Sequence, residues 1–254
     1  MSGLDAALAS LPLTLLALVA AAAFVTSCIS GIAGYGSSLL MPLVLVPIVG
    51  AEPVVPIVAI SGLFTNASRV AAFRRVIEWR HSWIVLAASL PTCLLGAWLF
   101  TKLGGRGALL LIGVTLIVGV PLRRALKRRA IRLQGGCLIA ASAGWGLING
   151  GTPGAGVVLI SMLLAAGLEG AAVIATDAVI SMTLDAVRIV VFGLAGVVDM
   201  TVLILALVSG IAAIPGAFVA RATLARMPVH IHTALLDILV LAGGAAMVFG
   251  AFRG

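Results

Sequence analysis

The sequence predicts an all-α polytopic membrane protein, and three observations carry that prediction. The chain of 254 residues is 62% hydrophobic and only 9% charged, with mean hydropathy +1.27, whereas a soluble domain carries about 25% charged residues. Residues 6–51 and 133–168 contain no Asp, Glu, Lys or Arg. At about 1.5 Å per helical residue each run far exceeds a ~30 Å hydrocarbon core, so each must bend, break or cross more than once. The runs do not alternate polar and apolar residues, as a β-barrel would.

The elements follow in order. An apolar segment at 11–30 ends at Gly31-Ile-Ala-Gly34-Tyr35-Gly36, where glycine lets the backbone turn and lets a ligand approach it closely. A short piece at 37–50 opens on Ser37-Ser38 and stops before Glu52-Pro53. The segment 54–68 runs into Arg69, Arg74, Arg75 and Arg80, and 82–101 is flanked by Trp79 and Trp83 at its start and carries Trp98 near its end, aromatics suited to a membrane interface. The segment 107–122 stops at Arg123, Arg124, Lys127, Arg128, Arg129 and Arg132. The segment 133–149 meets a second glycine cluster, Gly150-Gly151-Thr152-Pro153-Gly154-Ala155-Gly156, and a second short piece follows at 157–167. Segments at 170–192, 200–220 and 233–251 complete the chain. This gives eight full-length segments and two short pieces that span, re-enter or continue a bent first helix.

The chain reads as one transmembrane domain over 1–254, built from two repeats at about 8–122 and 133–252 joined by the basic linker 123–132. Each repeat opens with a glycine-broken helix, followed by an acid (Glu52, Glu169) and then a polar pair. Asn66-Ala-Ser-Arg69 matches Asp185-Ala-Val-Arg188, at similar distances from Gly36 and Gly156. If the short pieces span, each repeat has five crossings and the second is inverted; if they do not, each has four crossings and the repeats are parallel. The basic residues favour inversion, because it places Arg221, Arg226, His230 and His232 on the same side as the linker.

The net charge of +8 is concentrated in short loops, the pattern of topology signals and anionic-lipid contacts rather than of a nucleic-acid surface. Met-Ser-Gly-Leu-Asp5 lacks the basic start of a secretory signal. Cys28, Cys93 and Cys137 are scattered in apolar sequence and read as packing residues. His81, His230 and His232 lie in or beside loops and do not form the i, i+4 pair of a helical zinc site. With no paired carboxylates, no Ser/His/Asp order and no phosphate-binding lysine loop, an enzyme or a direct ATP drive is not expected. No cofactor is expected.

Broken helices in a repeated membrane fold are where transporters bind cargo, and helix starts at the breaks present free N–H groups to an anion. The alternative at the glycines is close helix packing. The candidate substrate residues are Gly34, Tyr35, Gly36, Ser37, Ser38, Asn66 and Arg69 in the first half, and Gly151, Thr152, Pro153, Gly154, Gly156, Asp185 and Arg188 in the second. Arg188 is the sharper arginine, flanked by apolar sequence on both sides and three residues from Asp185. Arg69 borders a basic loop and reads first as a topology signal. Asp177 and Asp185 are candidates for coupling to a proton or cation, and Asp237 ranks below them. Trp145 reads as an anchor or packing residue.

The Gly34-Tyr-Gly-Ser-Ser-Leu-Leu-Met-Pro42 run, the second glycine cluster, the basic midpoint loop and the chain length together resemble the TauE/SafE sulfite exporter family, also called four-Toluene-sulfonate uptake permeases (TSUP). That resemblance covers nearly the whole chain. It implies a transporter in the cell membrane for export or uptake of small sulfur-containing anions such as sulfite, sulfonates or sulfoacetate; together with the intramembrane aspartates this reads as a secondary transporter, an exporter coupled to a proton or ion gradient. The residues alone point to an anion and do not specify sulfur. An uncoupled anion channel is the alternative, and a membrane-embedded enzyme a more distant one. The partners expected are the anion, the bilayer and, in a homodimer, a second copy; nucleic acid is not one.

Overall fold

A computed structural model describes residues 12–30, 37–128, 132–223 and 229–253. The described residues form ten α-helices and one 3-10 turn, with no strand among them. The first half contributes α1 (Leu13–Ser30), α2 (Ser37–Val49), α3 (Val54–Phe73), α4 (Trp79–Phe100) and α5 (Gly105–Arg128). The second contributes α6 (Gly136–Gly151), α7 (Gly156–Ala165), α8 (Gly170–Leu194), α9 (Met200–Thr223) and α10 (Val229–Arg253). Every segment expected from the sequence is a helix. Some helices extend beyond their apolar stretches, because apolarity marks hydrocarbon whereas the hydrogen-bonded spiral continues into flanking basic residues, as α5 does to Arg128; α7 ends at Ala165, short of its stretch.

By length and composition, the stretches Val54–Val76, Trp79–Phe100 and Gly105–Leu122 are long and apolar enough to cross a membrane. The longer α8 carries Asp177, Asp185 and Arg188 along its middle. Large apolar side chains such as Leu18, Trp83, Leu95, Trp98, Val190 and Leu194 face outward, which hydrocarbon tolerates and water does not.

Helix partners fall into matched sets. α4 packs on α6 as α9 packs on α1, α4 touches α8 as α9 touches α3, and α5 meets α7 as α10 meets α2. Two further pairs, α3 with α8 and α5 with α10, join each helix to its own counterpart. Both of these run antiparallel. In the first, Gly62 and Asn66 approach Asp185 while Arg69 reaches Asp177. In the second, Leu109 lies near Gly250, Gly113 near Gly244 and Arg124 at Asp237. Counterpart helices that pack antiparallel are consistent with a pseudo-two-fold axis perpendicular to them, as inverted repeats would have. The Leu133 N–H donates to the Ala165 carbonyl at 2.9 Å, so α7 runs back to the level where α6 began.

The core divides in the same way. Leu86, Leu138, Trp145, Leu159, Leu163 and Ile180 fill the space between α4, α6, α7 and α8. Val19, Leu45, Val54, Ile57 and Leu205 do so between α1, α2, α3 and α9. A central cluster containing Leu40, Ile112, Leu116, Val240 and an edge-to-face pair of Phe100 and Phe192, with centroids 5.9 Å apart, joins the halves. In a bilayer such packing acts by close contact rather than by removing water.

The candidate site at the α3–α8 crossing

The first glycine cluster, including Gly34, Tyr35 and Gly36, lies outside the described residues, as does the side chain of Ser37. Ser38 is half-buried in the first turn of α2. Arg226, and the side chains of Arg221, His230 and His232, are also outside the described set.

The second cluster divides its labour. Gly146 and Gly150 let α6 lie directly on α4. A Cβ on Gly146 would sit 2.6 Å from the Ser89 carbonyl, and one on Gly150 2.6 Å from the Ala97 amide and closer still to the Cys93 carbonyl. Gly151 is enclosed less tightly, with a Cβ 3.3 Å from Gly96, Phe100 and Leu111. This is the close-packing role of small residues. Gly154 instead makes the turn, with φ +87°, a conformation that costs other residues roughly 1–2 kcal/mol. Gly156 begins α7 with open space where a Cβ would go. Thr152 leaves the helix in extended conformation, its hydroxyl donating to the Ile148 carbonyl at 2.7 Å. Trp145 is buried, and its indole N–H donates to the Ala155 carbonyl at 2.8 Å, fastening the far side of the break.

Arg188 reaches this break from α8. One guanidinium nitrogen donates to the Asn149 carbonyl at 2.9 Å and to the Thr152 carbonyl at 3.4 Å. A broken helix ends in carbonyls without partners and a negative dipole end, and the guanidinium answers both. Its other terminal nitrogen pairs with Asp185, while its Nε–H has no partner among the described residues although the residue is 4% exposed. Asp185 also accepts from Asn66 Nδ2 at 3.1 Å. Asn66 Oδ1 accepts from Arg69 at 3.1 Å, and Arg69 donates onward to Asp177 Oδ2 at 3.0 Å. Asp177 is 3% exposed, and its Oδ1 meets no hydrogen-bond geometry among the described residues. Beside it, Thr176 accepts the Glu78 N–H at 3.1 Å, tying the start of α4 to α8.

Five residues called from the sequence therefore form one connected chain, Arg188–Asp185–Asn66–Arg69–Asp177, buried except at the partly exposed Arg69, with two positive and two negative charges. Asn66 and Asp185, matched by their place in the repeat, touch where α3 and α8 cross. Arg69 is turned into the protein toward Asp177. The Asn149 and Thr152 carbonyls and the Trp145 clamp carry no sequence signal as site features, because backbone groups exist at every position. Glu169 occupies the N-cap position of α8 without a side-chain capping bond. Asp237 lies apart, paired with Arg124 at 2.7 Å near the end of α5.

No curated protein and no solved structure matched the chain. A protein-family model, Sulfite exporter TauE/SafE, matches residues 19–247, spanning both halves, the break and the crossing. The chain is a membrane protein of the sulfite exporter TauE/SafE family.

Proposed function

We propose that this chain is a secondary transporter that exports small sulfur-containing anions, such as sulfite, sulfonates or sulfoacetate, across the cell membrane. The observation that carries the reading is the buried charged chain at the α3–α8 crossing, placed against the broken end of α6. Ionisable groups inside a membrane are costly and mark transport pathways. The family match supports the cargo class. The free Nε–H of Arg188 supports a role for this guanidinium in holding the anion, with Thr152, Pro153, Gly154 and Gly156 shaping the approach. Asp185 already occupies Arg188 as an internal counter-ion. An arriving anion competes with it, and a proton delivered to Asp185 releases Arg188 to the anion. Asp177 stands in the same relation to Arg69. The inverted packing supports two copies that rock about the crossing.

The test is flux of labelled sulfite and of a short sulfonate in proteoliposomes, with and without an imposed pH gradient. Saturable flux that follows the gradient, and loses that dependence in Asp185→Asn or Asp177→Asn, is the expected result. Flux that neither saturates nor responds to the gradient refutes coupling and leaves a channel. No flux of either anion from folded protein refutes the cargo.

A further inference from the structure

A groove of about 510 Å³ runs between α5 and the α6–α7 hairpin, and it is separate from the crossing. Its size lies within the roughly 300–1,000 Å³ of ligand sites. Its walls are almost wholly apolar, including Leu111, Trp145, Val158 and Met162, with Thr115 and Asp237 as polar side chains. Val114, Val118 and Ile148 along its margin are 47%, 51% and 46% exposed, so on this membrane protein the groove opens sideways to hydrocarbon. One end is different. There the lining residues Leu122 and Leu133 lie beside Arg124 and Arg132. Both arginines are exposed, and Arg124 pairs with Asp237. The same linker adds Arg123, Lys127, Arg128 and Arg129 in sequence. An apolar slot with a cationic mouth has the charge pattern complementary to an anionic phospholipid. Such lipids enrich the leaflet that basic loops face, at about 1 kcal/mol per arginine or lysine.

We infer that this groove holds one acyl chain of an anionic phospholipid, whose phosphate rests on Arg124 and Arg132. The inference depends on the membrane setting and not on the cargo. Because Gly154 and Ala155 form part of the wall, the bound chain lies against the break in α6. Two glycines that line the groove, Gly119 and Gly144, have open space where a Cβ would stand, so larger side chains there fill the slot without striking a neighbouring helix.

The experiment is native mass spectrometry of the purified chain with phosphatidylglycerol, with phosphatidylcholine of the same acyl length, and with dihexanoyl phosphatidylglycerol. The wild type should retain one long-chain phosphatidylglycerol in strong preference to the other two lipids. Gly119→Leu and Gly144→Leu should each lose that retention while keeping the helical circular dichroism of the wild type. Arg132→Gln should narrow the preference over phosphatidylcholine by about fivefold. Undiminished retention in either folded leucine variant overturns the inference, and if one variant fails to fold the other decides. Equal retention of phosphatidylcholine removes the phosphate contact, and equal retention of the short-chain lipid removes the groove; either result overturns it.

Discussion

The pairs α3–α8 and α5–α10 occupy the same place in the symmetry, each joining a helix to its counterpart, yet they are built from opposite materials. At α3–α8 the contact is a buried string of guanidinium, carboxylate and amide groups. At α5–α10 it is glycine on glycine. A Cβ on Gly113 would stand 2.9 Å from the Gly244 carbonyl, and one on Gly244 3.0 Å from that of Gly113. The ion pair of this second contact, Arg124–Asp237, lies at the margin with the arginine side chain 56% exposed, against 5% for Arg188. A hydrocarbon environment accepts the glycine contact as a passive seal. It accepts the charged contact only because every charge has an opposite partner, and that dependence lets a proton or an anion change the contact.

The largest expected effect comes from breaking that balance. Arg188→Ala leaves Asp185 without its cation and the Asn149 and Thr152 carbonyls without their donor, which should cost about 3–5 kcal/mol. Thermal unfolding in detergent measures the stability loss, and anion flux should vanish in any folded remainder. Saturable flux of unchanged rate and affinity would remove Arg188 from the transport model. Next in size is Gly113→Leu, which forces α5 from α10 and should destabilise by roughly 1–3 kcal/mol. In vesicles that retain folded Gly113→Leu, the pH dependence of flux should be unchanged, since no charge is touched. A smaller change follows from Asp177→Asn, which keeps an acceptor for the 23%-exposed Arg69 side chain; the readout is gradient dependence of flux rather than melting temperature. Smallest is Arg124→Gln, where a solvent-accessible partner limits the loss to about 1 kcal/mol or less. A melting shift as large as that of Arg188→Ala would erase the contrast between the two contacts.

Much of this was legible from the residues. Charge-free runs and their basic punctuation gave all ten helices, because hydrocarbon imposes composition directly. The matched spacing of Asn66 and Asp185 pointed to the two residues that meet at the crossing. Other features were hidden for physical reasons. Arg69 looked like a loop charge because its neighbours in sequence are basic, whereas its partner Asp177 is 108 positions away. Gly151 reads as part of a break that a ligand could approach; its contacts with Gly96, Phe100 and Leu111 depend on how α4 and α5 pack, which the sequence does not show. The direction of α7 rests on a backbone hydrogen bond from Leu133 to Ala165, which leaves no mark in side-chain composition.

The Asn66–Asp185 contact bears on why two such halves belong in one polypeptide. Counterpart positions on a symmetry axis face each other, so an assembly of two identical half-chains would set aspartate against aspartate, or asparagine against asparagine. The first arrangement is electrostatically frustrated in a dry interior, and the second has no titratable group at all. If the two halves are copies of one unit, joining them lets one keep the acid while the other becomes its neutral hydrogen-bond donor. The covalent link thereby permits heterogeneity at the single point where a symmetric dimer is forced to be the same. Exchanging the pair, Asn66→Asp with Asp185→Asn, would reveal which neighbouring arginine the acid must serve.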